Sequence, residues 1–275
     1  MKALAETPRA AARGCVDTSP FDLGGGAPAA SLCLHGLTGT PYEIRPLGEA
    51  LAGRGIRAVG PALPGHNETP EALSRIAYTD WLAAARAKFC ELRAEHAQVF
   101  LVGLSLGGLL ALALAAEEEV DGIVVVGTPL RLSLSLRLVM PLLRMIRPFH
   151  RKRWGSDIRE AAARQCHPGY AIMPMASVRQ LQRLQRRVRG DLSRVTAPIL
   201  VAHGARDATA DPADARAILE SVASRERELL MLPRSGHVVP VDHDGLRLSR
   251  AAAEFLARRV GSSSGASSAT LQPVD

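Results

Sequence analysis

Aromatic residues make up only 4% of this 275-residue chain, and lysine occurs three times, at Lys2, Lys88 and Lys152. The formal charge of +7 is therefore carried almost wholly by arginine, a bias that GC-rich coding produces without any polyanionic partner. No RNA- or DNA-binding signature accompanies it, so no nucleic-acid partner is expected. Cysteine is scarce as well. Cys15, Cys33, Cys90 and Cys166 are scattered, with no CxxC pair, no metal-ligand spacing and no disulfide framework. No metal site is implied, Cys33 and Cys90 read as small core fillers, and a reducing cytoplasm is the default compartment. The N-terminus, MKALAETPRAAARG, has no continuous apolar stretch, which argues against a secretory signal.

One long apolar run stands out: VFLVGLSLGGLLALALAA, Val99 to Ala116. It matches the shortest membrane-spanning helices, roughly 17–18 residues. Its interior favours another reading. Gly103 and Gly107 flank Ser105 at the spacing G-x-S-x-G, with an apolar strand pattern before the serine and an apolar helix after it. That context suits a sharp strand-to-helix turn that lifts the serine hydroxyl above a sheet edge. The turn strains the serine backbone, and side chains two positions away on either side would collide. No transmembrane segment is expected.

The rest of the chain supplies such a sheet. Strands are expected at Ala30–His35, Ile56–Val59, Val99–Leu104, Ile123–Val126, Ile199–Ala202 and Glu228–Leu232. Helices are expected at Arg45–Gly53, Tyr78–Glu95 (capped by Thr79 or Asp80), Leu106–Glu117, Pro212–Val222 and Gly245–Arg258. Strands apolar on both faces, alternating with helices, imply a mostly parallel sheet covered on two sides. The alternation stops between Pro129 and Arg194, so residues 129–194 read as an inserted helical cap on a core of residues 21–128 and 195–260. Residues 1–20 read as a flexible N-terminus, and the Ser/Gly-rich 261–275 as a disordered tail.

A serine nucleophile needs an acid and then a histidine later in the chain. Asp207, in ARDATADP, and His237, in SGHV, each follow a strand and would reach the same sheet edge as Ser105. Asp211 precedes Pro212 and reads better as a helix cap. His243 lies beside Asp242 and Asp244 at the start of the last helix, and His203 reads as a structural turn histidine. Backbone N–H groups of Leu106, after the nucleophile, and Leu37, in the early loop LHGLTGTPYE, are the candidate oxyanion donors.

With these residues in place the chain resembles the α/β-hydrolases, and within them the small bacterial carboxylesterases and monoacylglycerol lipases. LHGLTGTPYEIRPLGEALAGRGI, LPGHNETPEAL followed by DWL, VGLSLGG, ARDATADP and SGHV carry the resemblance, from about Leu32 to the final helix. One departure is Asn67, where the family often has glycine after Pro64-Gly65-His66. The resemblance implies cofactor-free hydrolysis of a carboxylic ester with a small or medium acyl chain. Monoacylglycerol or thioester hydrolysis on the same residues is the alternative, and a non-catalytic binding protein is the rival from another class. In the cap, Met140, Met145 and Ile146 could line an acyl pocket or simply pack the cap down. Arg144, Arg147, Arg151 and Arg153 could meet anionic lipid headgroups or form a solvated face. The run Gln180 to Arg189 reads as a surface helix of the cap.

Overall fold

The computed structural model describes residues 16–131, 148–152 and 155–261. Cys15, the cap residues Met140, Arg144, Met145, Ile146, Arg147 and Arg153, and the tail beyond residue 261 lie outside them. The apolar runs form a seven-stranded sheet. Its strands in chain order are β1 (Phe21–Leu23), β2 (Ala29–Leu34), β3 (Ile56–Gly60), β4 (Gln98–Leu104), β5 (Ile123–Val126), β8 (Ile199–Gly204) and β9 (Arg227–Leu232). Their spatial order is β1-β3-β2-β4-β5-β8-β9; β1 runs antiparallel to β3 and every other neighbouring pair is parallel. A separate two-stranded ribbon pairs β6 (Phe149–Arg151) with β7 (Ile172–Pro174).

Two-residue periodicity divides the strand side chains between two cores. Leu32, Leu34, Leu101, Val125 and Val201 pack with α3 (Tyr78–Glu95) and α4 (Leu106–Ala115). Cys33, Phe100, Val102, Val126 and Ala202 pack on the other face with α1 (Arg45–Ala52) and α8 (Gly245–Ala257). This is the mostly parallel, doubly covered sheet of the α/β-hydrolase fold. The run Val99 to Ala116 is thus a buried strand, a turn and a buried helix, and no helix among the described residues is long and apolar enough to cross a membrane.

The other α-helices among the described residues are α2 (Pro70–Arg75), α5 (Ala161–Cys166), α6 (Met175–Asp191) and α7 (Ala213–Ser221). The Gln180 to Arg189 run lies within α6 and is only half a surface helix. Leu181, Leu184, Gln185 and Val188 are buried, and Gln185 donates to the Pro129 carbonyl at 3.0 Å.

Three expectations need correction. Cys90 is exposed, on the solvent side of α3, rather than in the core. Neither Thr79 nor Asp80 caps that helix. Ala77 holds the cap position, and Asp80 reaches back from inside the first turn to accept its N–H at 2.9 Å. His203 is no turn histidine, because it lies within β8 and is fully buried. The departure at Asn67 has a local cause. Its φ of 61° lies in the left-handed region that asparagine tolerates better than most residues, and its amide donates to the Thr18 carbonyl at 2.8 Å.

Candidate active site

The site is built at the carboxyl ends of β4, β5, β8 and β9. Ser105 links β4 to α4 with φ 53°, a strained value for a residue with a side chain. Its N–H is satisfied by the Val126 carbonyl at 2.8 Å, and its own carbonyl starts α4 by accepting from Leu109 at 3.1 Å. Glycine is required at Gly107, where a β-carbon would run into the Leu34 carbonyl. Gly107→Ala should therefore lower stability by about 1–3 kcal/mol, the usual cost of overpacking. Chemical denaturation checks this, and an unchanged midpoint would show that β2 yields freely.

Asp207 leaves β8 and His237 leaves β9, and the structure brings both to Ser105. His237 Nε2 lies 2.9 Å from Ser105 Oγ, and Nδ1 lies 2.7 Å from Asp207 Oδ2. An ionised Asp207 can only accept, so Nδ1 carries the imidazole proton and Nε2 is left to accept from the serine hydroxyl. Gly127, with φ 53°, follows β5 beneath this pair; a β-carbon there would lie 3.4 Å from His237 Nδ1.

Asp207 is held by more than its histidine. Oδ1 accepts the N–H groups of Thr209 and Ala210, each at 2.8 Å. Oδ2 also receives His203 Nε2 at 2.9 Å. Burial works to raise the Asp207 pKa, but the His237 charge, the two histidine donors and the Ala210 N–H overcome it and hold the carboxyl well below its usual range. Burial likewise works to lower the His237 pKa. The Asp207 charge and hydrogen bond outweigh it, with smaller help from Asp157 and Glu43, so the imidazole sits above its ordinary 6.5. Only neutral His237 can take a proton, so activity should rise with pH through a midpoint above 6.5. A pH profile of kcat/KM checks this, and a midpoint below 6.5 would contradict it.

The early loop approaches from β2. A β-carbon on Gly36 would lie 3.7 Å from Ser105 Cβ, which places the Gly36–Gly39 turn against Ser105. Gly39 N–H closes that turn on the Gly36 carbonyl at 3.1 Å. Among the described residues, the N–H groups of Leu37 and Leu106 meet no protein acceptor. A cavity of about 680 Å³ opens over Ser105 and His237. Leu37, Pro129, Met173, Met175, Val178 and Leu181 give it an apolar wall, while Lys152, Ser156, Asp157 and Arg159 lie on its polar side.

The competing candidates lie elsewhere or do other work. Asp211 Oδ1 accepts from Ala213 N–H at 2.9 Å at the start of α7, and His243 is exposed. Sequence patterns did not reveal Asp157. Its carbonyl accepts His237 N–H and Val238 N–H at 2.9 and 3.2 Å, and its carboxylate accepts Ala208 N–H at 2.7 Å. It thus ties the Asp207 and His237 loops together across 51 residues of sequence or more, a pairing no local motif records. Among the described residues no group of three His, Cys, Asp or Glu side chains is placed to hold a metal ion.

Comparison with known proteins identifies the family to which this sequence and fold belong. Over residues 32–271 the chain matches the profile of the alpha/beta hydrolase family. It is 31% identical over 237 residues to the thermostable monoacylglycerol lipase of Bacillus sp. (strain H-257), covering 85% of this chain and 92% of that protein. It is 27% identical over 242 residues to a carboxylesterase of Bacillus subtilis (strain 168), covering 88% and 97%. A solved structure from work on LipS and LipT, two metagenome-derived lipolytic enzymes, superposes with a TM-score of 0.80. That pair is 28% identical, over 87% of this chain and 97% of the other. By sequence and by fold, the chain belongs to the alpha/beta hydrolase family.

Proposed function

We propose that the protein hydrolyses carboxylic esters of small or medium acyl chains through Ser105, His237 and Asp207, by way of an acyl-enzyme. The observation that carries this is the unbroken chain Ser105 Oγ, His237, Asp207, at 2.9 and 2.7 Å, at the floor of a largely apolar cavity. Ser105 attacks the ester carbonyl as His237 Nε2 takes its proton, and Asp207 stabilises the imidazolium without itself being protonated. The Leu37 and Leu106 N–H groups receive the oxyanion, aided by the N-terminus of α4. His237 then protonates the leaving alcohol, and a water molecule, activated by the same nitrogen, releases the acid.

The names of the relatives, a monoacylglycerol lipase and a carboxylesterase, support an ester as substrate. Residues 129–194 serve as the cap, with Met173, Met175, Val178 and Leu181 forming its acyl-facing wall. The reading places the protein in the cytoplasm, where free Cys33, Cys90 and Cys166 stay reduced. The cap arginines offer a salt-sensitive contact to anionic membranes, which vesicle co-sedimentation at rising ionic strength would detect. Monoacylglycerol is the second substrate to try, because a relative with that activity shares 31% of its aligned residues.

The test is fluorophosphonate labelling alongside hydrolysis of p-nitrophenyl esters from acetate to palmitate, and of a monoacylglycerol. Rapid labelling at Ser105, with a turnover optimum at short or medium chains, is the expected result. Absence of both labelling and turnover would overturn the hydrolase reading, and preference for monoacylglycerol would move it to the second substrate.

A further inference from the structure

The turn that offers the Leu37 N–H is held in a costly conformation. Thr38 has φ 64°, a left-handed value that costs a residue with a β-carbon about 1–2 kcal/mol. Such strain persists only where the surroundings over-determine it. Here the surroundings are largely ionic, and they combine the nearby Glu43 with Lys152 and His167 from a distant part of the chain.

Beneath the turn lies the buried carboxylate of Glu43. Oε2 accepts Gly36 N–H at 3.1 Å and Oε1 accepts His167 Nε2–H at 2.8 Å. A β-carbon on Gly39 would collide with this carboxylate, so the turn rests directly on it. The tautomer of His167 is fixed by its other nitrogen, which accepts Gly169 N–H at 3.2 Å and faces Ser156 Oγ at 2.8 Å. His167 therefore has a proton on Nε2 to give. Burial works to raise the Glu43 pKa, but the His167 donor and the Gly36 N–H hold it below the ordinary value, so the carboxylate is ionised.

Above the turn, Lys152 Nζ donates to Thr38 Oγ1 at 2.6 Å, and that hydroxyl donates to the Leu37 carbonyl at 2.5 Å. Tyr170 N–H adds a bond to the Thr38 carbonyl at 2.9 Å. Burial pulls the Lys152 ammonium down to about 8, with the Glu43 charge opposing the fall. Buried charges of this kind often cost more stability than an apolar substitute would. Their geometry suggests what they contribute instead. The Gly36–Leu37 peptide is held at its carbonyl by Gly39 N–H and by His35 Nδ1, and the peptides on either side are gripped at Gly36 N–H by Glu43 and at the Leu37 carbonyl, through Thr38, by Lys152. The Leu37 N–H meets no protein acceptor, and Leu37 lines the same cavity as Ser105.

We propose that Glu43, tied to His167, and Lys152, tied to Thr38, are positioning residues that aim the Leu37 N–H at the oxyanion formed on Ser105. This rests on the reading of Leu37 as an oxyanion donor. Lys152, His167 and Tyr170 all belong to the segment between β5 and β8, so that segment completes the oxyanion site as well as covering it. The array Ser156, His167, Glu43 has the order of a second catalytic triad. It works as a strut, because Gly169 N–H shares the nitrogen that would have to take a serine proton.

The experiment compares wild type, Lys152→Met, Lys152→Arg, Glu43→Gln and Thr38→Val on p-nitrophenyl butyrate, with a trifluoromethyl ketone as the oxyanion-forming inhibitor. Loss of a whole donor costs on the order of 10²–10³ in turnover, so a misaimed one should cost about 10-fold. Lys152→Met, Glu43→Gln and Thr38→Val should each lower kcat by about that factor, with KM changed less than about two-fold and inhibitor affinity falling in parallel with kcat. Lys152→Arg should restore most of the loss. Thr38→Val keeps both charges, so it decides the matter if Lys152→Met or Glu43→Gln fails to fold. Unchanged kcat in Thr38→Val and Lys152→Met, or a rise in KM alone, would overturn the clamp while Ser105 labelling stays intact. Fluorophosphonate labelling of Ser156 in Ser105→Ala would make the second array a nucleophile and overturn the strut. Wild type that is not labelled at Ser105 would instead overturn the functional reading beneath it.

Discussion

Ser105→Ala should lower turnover of p-nitrophenyl butyrate by about 10⁶-fold while the protein stays folded. The expected size follows from the proposal that the three side chains act as one device. His237 Nε2 has no proton to take once Ser105 Oγ, 2.9 Å away, is removed. Only the oxyanion donors and the binding cavity then remain, worth about 10³–10⁴ over water in other serine hydrolases. A double variant, Ser105→Ala with His237→Ala, should therefore lose nothing further, since each single change already disables the proton transfer. Steady-state turnover, with active-site titration to exclude contaminating wild type, checks both statements. Losses that multiply in the double variant would mean that the two side chains act independently. The substitution removes one oxygen from a buried position and leaves φ at 105 as demanding for alanine as for serine, so the melting temperature should barely move.

Much of this site could be read from the sequence because the backbone itself writes it there. The turn at Ser105 demands small residues at fixed offsets, and Gly107 meets the Leu34 carbonyl closely enough that no other residue fits without movement. Strands β4, β5 and β8 are buried on both faces, and β9, exposed along its first three residues, still carries the apolar run Leu229–Leu232, so each announces itself as an apolar run with a following loop. Asp207 and His237 follow from the loops those strands must have. β1 was not legible, because three residues at an edge carry too little pattern to distinguish a strand from a linker. The β6–β7 ribbon failed for the same reason.

The remaining omissions are long-range. Lys152 meets Thr38 across 114 residues and His167 meets Glu43 across 124. Neither end carries a local signature, since an isolated lysine or glutamate reads as a solvated side chain. Cys90 shows the converse error. Apolar neighbours in sequence say little about which side of a helix a residue occupies, and the buried stripe of α3 runs through Trp81, Ala85, Phe89 and Leu92 instead. His203 lies in the strand and not in the turn because β8 continues to Gly204, two residues beyond its apolar run. That extension brings His203 to Asp207.

The placement of His203 bears directly on Asp207→Asn, which should cost about 10⁴-fold in turnover, the loss expected when the histidine is left in the wrong tautomer. In this protein the cause can be traced atom by atom. The Oδ1 position accepts two backbone N–H groups, from Thr209 and Ala210, and only a carbonyl oxygen can do so. An asparagine must therefore put its oxygen there and turn its NH₂ toward the Oδ2 position, where His203 Nε2 and His237 Nδ1 now converge. Two amide protons facing two ring nitrogens force both nitrogens to accept. His237 must then carry its proton on Nε2, the nitrogen that faces Ser105, and has no means of taking the serine proton. Raising the pH cannot restore the lost tautomer, so the deficit should persist across the alkaline range. Measuring kcat/KM for Asp207→Asn from pH 6 to about 10 tests this, together with Asp207→Ala, whose cavity imposes no tautomer. Near-normal turnover in Asp207→Asn would show that the imidazole is oriented by other contacts. A smaller loss in Asp207→Ala than in Asp207→Asn would show that the amide does active harm, as two convergent histidines require.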